Sequence, residues 1–319
     1  MKAGFFMWTN FVVSIEAILP IFITIGIGML IKRAGMITSE QVKVFNKITF
    51  ITCYSSMMFS NIYGKELDEA LDMRSIVFAA SGVFAVFLLS TVFTLAIEKK
   101  QKTRGAMIQA LFRSNFVILG IPVVANVFGA ENCTLTAGLI TVVVPVFNIL
   151  AVIVLEVFRG TKPNAKKIII SVLINPMIIG AVVGLTANLT GVTVPQFIVS
   201  PINSLGAAAT PIALLILGMS FSKSSIENCK RNLIIVCIAK LIVIPGIMLS
   251  IAVALGFRDV ALVSFVALFA SPCAIASFTM AQEMDSDVEL AGNCVVFTSL
   301  LSCITMFLWI FTLKCMGLF

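Results

Sequence analysis

Few side chains in this sequence can do chemistry. Its 319 residues include no histidine, and only 12% of them are charged. The commonest general base, the Ser-His and Cys-His nucleophile pairs and the usual imidazole metal ligand are therefore missing. The eight cysteines (53, 133, 229, 237, 273, 294, 303 and 315) form no C-x-x-C pair and lie mostly inside apolar runs. In that setting a thiol acts as a small hydrophobe. No metal site, cofactor or enzymatic activity is expected. The polar chemistry that remains is gathered in two stretches. "RSNFVILGIPVVANVFG" (113–129) joins Arg113, Ser114 and Asn115 to Gly120 and Pro122. "FASPCAIAS" (269–277) sets Ser271, Pro272 and Cys273 among small residues. A guanidinium presents a planar fork of donors that suits a carboxylate, and an amide beside it adds a donor and an acceptor.

The elements that must position these groups are membrane helices. The chain is 60% hydrophobic, whereas a soluble domain has about 45–50% apolar and about 25% charged residues. Ten apolar stretches are long enough to cross about 30 Å of hydrocarbon. They lie near 11–31, 45–63, 75–97, 106–128, 134–157, 168–190, 197–221, 232–256, 260–282 and 290–313. The first run is too long for a signal peptide and ends at Lys32-Arg33 without a small-residue cleavage pattern, so it is read as a retained helix. The net charge of +7 sits in short connections, which reflects the positive-inside rule rather than nucleic-acid binding. Lys32, Arg33, Lys43 and Lys47 flank connection 1–2, while Lys99, Lys100, Lys102 and Arg104 fill connection 3–4. Arg159, Lys162, Lys166 and Lys167 fill connection 5–6, and Lys223, Lys230 and Arg231 lie in connection 7–8. The other side holds Lys2, Lys65, Arg74, Arg258 and Lys314. The expectation is a multi-pass protein of the cell membrane with both termini extracytoplasmic. Connection 9–10 is cytoplasmic by parity although acidic, with Glu283, Asp285, Asp287 and Glu289.

Ten stretches divide into two copies of five, about 11–158 and about 168–314, within one domain spanning 1–319. Pro20, Gly28 and Gly35 follow the spacing P-x7-G-x6-G, and Pro176, Gly184 and Gly191 repeat it. Arg104 and Arg258 open stretches 4 and 9 at nearly the same offset. An odd number of spans per copy inverts one copy relative to the other, an arrangement of secondary transporters whose site lies between discontinuous helices. A proline within a helix removes one N–H and crowds the carbonyl four residues back. Gly120 and Pro122 are expected to break the fourth stretch and Pro272 the ninth, leaving two crossing, half-unwound helices whose ends offer dipoles to an ion. Pro20, Pro145 and Pro245 are read as simple kinks.

Five charged residues fall within the stretches: Glu16, Lys47, Arg113, Glu156 and Lys240. Glu16, Lys47 and Glu156 lie near ends and are expected to reach the interface. Arg113 and Lys240 each lie nine residues after an arginine at the span boundary, a depth of roughly 13 Å at 1.5 Å per residue. Two readings stand for each: the side chain snorkels back to the surface, or it marks a substrate path. Asn115 either faces that path or joins two helices by a hydrogen bond. Ser55, Ser56, Asn203 and Thr210 are candidates for a polar cavity, whereas Gly206 to Ala209 suit close helix packing.

The elements "NFVILGIP" (115–122), "SPCAIASFTMAQEMD" (271–285), "INPMIIGAVVGL" (174–185) and "TPIALLILGMSF" (210–221), in this order and spacing, resemble the auxin efflux carrier family. That family includes plant PIN-type carriers and bacterial malate and malonate permeases, and the resemblance covers nearly the whole chain. It implies an all-α membrane protein of ten helices in two inverted five-helix repeats, with broken helices 4 and 9 crossing, as in bile-acid/sodium symporters. It implies a scaffold of spans 1, 2, 6 and 7, a transport unit of spans 3–5 and 8–10, and elevator-type alternating access. The family's crossover asparagine maps to Asn115 and its crossover prolines to Pro122 and Pro272. The expected substrate site comprises Asn115, Arg113, Ser114, Ser271 and Cys273, shaped by Gly120, Pro122, Pro272, Asn175, Pro176 and Pro211. Organic anions, carboxylates such as malate or malonate, are the implied substrates, with indolic acids, sodium coupling and a non-transporting sensor as alternatives. Beyond substrate and lipid, a second copy of the chain is the partner considered. The sequence departs from the family at Ser55-Ser56, where many members carry a proline, and at Arg113, which is not general among the plant carriers.

Overall fold

The computed structural model describes residues 19–64, 72–160 and 165–319. The start of the first predicted stretch with Glu16, and the basic residues Lys2, Lys65 and Lys162, lie outside them. Among the described residues every named element is helical. Helix α1 covers 19–33. Helix α2 (Ser39–Thr49) runs through a π-helical turn (Phe50–Tyr54) into α3 (Ser55–Ile62), and is followed by α4 (Met73–Ile97), α5 (Gln101–Phe112), α6 (Phe116–Phe128) and α7 (Thr134–Val157). Then come α8 (Ala165–Leu173), α9 (Pro176–Leu189) and α10 (Gln196–Ser220). Helix α11 (Lys223–Ile238) runs through a second π-helical turn (Ala239–Val243) into α12 (Ile244–Ala254), before α13 (Asp259–Phe269), α14 (Ala276–Glu283) and α15 (Val288–Cys315).

Among the described residues five rods are long and apolar enough to cross a membrane: Met73–Ile97, Thr134–Val157, Gln196–Ser220, Ser225–Ala254, which runs through its π turn, and Val288–Cys315. Large apolar side chains such as Leu30, Leu89, Leu173, Leu189 and Phe197 face outward. A soluble surface does not tolerate so broad an apolar exterior, and lipid does. Of the remaining apolar stretches, 106–128 is interrupted between α5 and α6, 168–190 between α8 and α9 and 260–282 between α13 and α14, while 45–63 runs through its π turn. The α8–α9 interruption is local. Asn175 caps α9 by accepting from the Met177 N–H at 3.0 Å, and Pro176 occupies the first helical turn, where its missing N–H costs nothing.

Glycines bring four helices close. A Cβ on Gly28 of α1 would lie 2.2 Å from the Leu215 carbonyl oxygen of α10, and one on Gly218 would lie 2.1 Å from that of Ile25. On α9, Gly180 and Gly184 meet α3 in the same way, with a Cβ 2.2 Å from Ser55 O and 3.0 Å from Phe59 O respectively. Such small-residue contacts allow backbone-to-backbone packing where no hydrophobic drive joins helices. The two spacings read from the sequence also share a terminus. Gly35 and Gly191 adopt φ of +70° and +65°. Gly35 donates to Lys32 O and Met36 to Ile31 O, while Gly191 donates to Asn188 O and Val192 to Ala187 O. Both are left-handed helix stops of one hydrogen-bond pattern.

Candidate functional site

The two interruptions of greatest interest meet. Between α5 and α6 the chain is non-helical over 113–115, and between α13 and α14 over 270–275. Ser114 and Cys273 form an isolated antiparallel bridge, and the Asn115 N–H donates to the Pro272 carbonyl at 2.8 Å. The Cys273 N–H donates to Thr298 Oγ1 of α15 at 3.0 Å, and its thiol donates to Ala110 O at 3.1 Å. Buried backbone polar groups that leave a helix must find partners; here each break supplies them to the other.

This places the first break differently from expectation. Gly120 and Pro122 lie inside α6, which continues through both; the opening is at Arg113–Asn115. The helix tolerates Pro122 because only one intrahelical N–H is lost, whereas the true break is held by bonds across the crossing. Pro272 does lie within its break. Pro145 and Pro211 are likewise carried inside α7 and α10, and Pro245 starts α12. Asn175 and Pro176 belong to the α9 cap rather than to the crossing.

A cavity of about 40 Å³ lies against the crossing, with Tyr54, Met58, Arg113, Asn115, Thr210 and Ala274 in its wall. Val117 and Ile118 from the first turn of α6, and Ile275 and Ala276 from the start of α14, also line it. Two helix N-termini therefore open on one cavity. Each carries a partial positive charge and unsatisfied N–H groups. Arg113, only 4% exposed, adds a full charge. Its guanidinium turns inward: Nη2 donates to Asn148 Oδ1 of α7 at 2.5 Å and Nη1 to Met280 Sδ of α14 at 2.6 Å. No carboxylate among the described residues pairs with it. Burial in these contacts sets aside the snorkelling reading. Nearby, Ser114 Oγ and Asn115 Nδ2 are buried without a hydrogen-bond partner among the described residues, a state that costs free energy until something fills it. The arrangement is poised for a negative charge, and the cavity's present volume suits a few waters rather than an organic acid.

Ser271 and Cys273 do not face this cavity. The Ser271 hydroxyl bonds back to Ala267 O in the last turn of α13, and both side chains are buried. Freed carbonyls at the ends of α5 and α13 capture these donors. Of the polar residues named on the second and seventh stretches, Thr210 reaches the cavity, while Asn203 accepts from Ser60 at 2.6 Å and Ser55 bonds to its own helix. Glu156 is buried and pairs with Arg159 at 3.3 Å instead of reaching out. Lys240 is 1% exposed, so it too is not a snorkelling lysine.

Sequence reasoning missed Tyr54, Asn148 and Met280. Asn148 carried a legible signal, an amide amid "VVVPVFNIL" (142–150). Tyr54 is brought to Arg113 by the π turn that contains it, and Lys240 sits in the other π turn. Such one-turn widenings are frequent at functional sites. Asn46 Nδ2 of α2 donates to Glu283 Oε1 at 2.7 Å and to Thr279 O at 3.3 Å, tying α14 to α2.

A family model described as "Membrane transport protein" matches residues 13–310. The chain is 23% identical over 305 residues to an uncharacterized transporter of Methanothermobacter thermautotrophicus, covering 94% of this chain and 98% of the relative. It is 22% identical over 307 residues to an uncharacterized transporter of Methanocaldococcus jannaschii, covering 93% and 98%.

Proposed function

The chain belongs to the membrane transport protein family, that of the auxin efflux carriers, and on this premise we propose that it is a secondary transporter of small organic anions, carboxylates such as malate or malonate. The observation that carries this is the convergence on one cavity of two helix N-termini and the Arg113 guanidinium, which no carboxylate among the described residues neutralises. Arg113 supplies charge, and the Asn115 amide and Ser114 hydroxyl supply the hydrogen bonds that orient the carboxylate. The identically built stops at Gly35 and Gly191 and the paired glycine contacts of Gly28 and Gly184 support ten spans in two inverted repeats. With connections 1–2, 3–4, 5–6 and 7–8 basic, both termini lie outside the cell membrane.

The cavity's walls come from two groups of helices. Tyr54, Met58 and Thr210 belong to the set joined by close glycine contacts, α1–α3, α9 and α10, while Arg113 to Asn115 and Ala274 to Ala276 belong to the crossing. A site on such a boundary is accessible from either side when one group slides against the other, which supports elevator-type alternating access. A second reading, a weak acid with an apolar body, is favoured by the rest of the wall: Met57, Val117, Val144, Phe147 and Ile275.

The test is counterflow in proteoliposomes loaded with unlabelled acid, with labelled malate, malonate and an indolic acid outside, in sodium and in choline buffers. Saturable exchange of a dicarboxylate, blocked by its competitor, is the expected result. Exchange of the indolic acid alone selects the second reading, and loss of uptake in choline reveals sodium coupling. Binding without flux of any carboxylate makes the protein a sensor.

A further inference from the structure

The crossing also gathers the opposite partial charge. The same breaks end α5 at Phe112 and α13 at Phe269, so two helix C-termini also lie at the crossing. Helix C-termini carry partial negative charge and free carbonyls, and in transporters with broken helices such ends take the coupling cation. Here a buried lysine is close by, because the π turn between α11 and α12 packs against both α5 and α15. Lys240, in the π turn between α11 and α12 and 1% exposed, has the Cys273 thiol as its electrostatic neighbour. That thiol in turn donates to Ala110 O in the last turn of α5. The π turn is held by Trp309 of α15, whose Nε1 donates to Leu241 O at 3.0 Å.

No carboxylate among the described residues pairs with Lys240. Its titratable neighbour is the Cys273 thiol, which is in turn the neighbour of the thiols of Cys237 on α11 and Cys294 on α15. Helix α12 carries no titratable side chain. The two cations of α5 are engaged elsewhere, Lys102 with Asp285 at 2.7 Å and Arg104 with the carbonyls of Glu98 and Leu95. A buried ammonium without a counter-charge is costly, and lysine, unlike arginine, can shed its charge. An anion arriving at the cavity supplies a counter-charge at the crossing.

Resting on the anion-transport reading above, we propose that Lys240 is the proton-coupling group of this carrier. When the anion binds, the neutral amine takes a proton from bulk water on the open side, forming one N–H bond. When the anion leaves, that bond breaks and the proton returns to bulk water on the other side; no electrons are transferred. Arg113 holds a permanent charge and fixes the anion, while Lys240 gains and loses its charge with occupancy. By linkage, anion and proton strengthen each other's binding equally.

The experiment measures malate binding and proton uptake together on the purified full-length protein, in weakly buffered detergent solution at about pH 8, where a dicarboxylate is fully ionised. The expected result is uptake on the order of one proton per malate bound, absent in both Lys240→Met and Lys240→Arg. In proteoliposomes clamped at zero membrane potential, an acidic exterior should drive malate accumulation by the wild type. Lys240→Arg should keep malate exchange and lose that accumulation about tenfold or more. Malate binding with no proton uptake by the wild type overturns the Lys240 assignment and leaves the transport reading intact. So does a Lys240→Arg protein that accumulates malate in the pH gradient as the wild type does. Absence of any carboxylate binding overturns both. If neither variant folds, the wild-type proton count alone decides.

Discussion

Arg113→Gln removes the full charge that the described residues set on the cavity wall while keeping a hydrogen-bonding amide. Of the five N–H donors of a guanidinium, the structure engages one with Asn148 and one with Met280, leaving the others for a ligand. A hydrogen bond to a charged group contributes about 1.5–3 kcal/mol. At about 1.4 kcal/mol per tenfold, losing one such bond weakens carboxylate affinity by roughly 10- to 150-fold. Helix dipoles and the Asn115 amide remain, so binding is weakened rather than abolished. Arg113→Lys keeps the charge without the planar fork and should fall between. The assay is the concentration dependence of malate counterflow in proteoliposomes, with protein amount normalised to folded monodisperse material. That normalisation matters because Gln is shorter and leaves Asn148 Oδ1 short of its partner. An uncharged amide analogue of the acid, used as a competitor, should lose little between wild type and variant. A change in malate affinity below about threefold, smaller than the weakest charge-assisted bond, refutes Arg113 as the anion's partner and leaves it tying α14 to α7.

Gly218→Ala places a methyl 2.1 Å from Ile25 O, a backbone atom that cannot swing aside. Overpacking of this kind costs about 1–3 kcal/mol and should lower the thermal unfolding midpoint in detergent. Gly26→Ala, with no heavy atom within 4 Å of the new carbon, should not lower it. Cys315 is exposed near the C-terminus, so a membrane-impermeant maleimide should label it in intact cells, and Cys315→Ser should abolish the signal; labelling only after permeabilisation reverses the topology. Burial pushes the Glu98 carboxyl up, but the Lys100 and Lys99 N–H groups and the Asn232 amide together outweigh it and hold it below the usual carboxylate range. Its stabilising contribution is therefore full above that range and is lost as pH falls through the lowered value. Glu98→Gln should lower the unfolding midpoint at neutral pH, with the difference closing as the medium is acidified past that point; a constant difference would show that the charge contributes nothing.

What the sequence made legible follows from how strongly lipid constrains a chain. Without water to satisfy the backbone, apolar runs of helical length are nearly obligatory, and the rods Met73–Ile97 and Thr134–Val157 fall close to their predicted limits. The spacing that set Gly35 beside Gly191 has a physical source in the structure, because a left-handed helix stop admits little but glycine. Direction was not legible. Counting residues from Arg104 and Arg231 gives the depth of Arg113 and Lys240 but not whether each side chain bends toward the surface or the interior. That depends on Asn148, Met280 and Cys273, which reach them only in the fold.

The first break shows the same limit more sharply. Proline is the strongest local signal of a broken helix, so Pro122 draws the prediction, yet α6 runs through it. The actual opening at Arg113–Asn115 has no proline, because its backbone is satisfied by a segment more than 150 residues later in the chain. The two breaks need only one proline between them. Pro272 cannot donate, but its carbonyl accepts the Asn115 N–H, so the residue that breaks one helix also supplies the partner that lets the other stay open. It follows that Pro272→Ala, which could let α13 propagate toward α14, would withdraw that carbonyl and unsettle the Asn115 side of the crossing as well. Both half-helix N-termini would then move off the cavity together, and carboxylate affinity should fall even though Arg113 and Asn115 are unchanged in sequence.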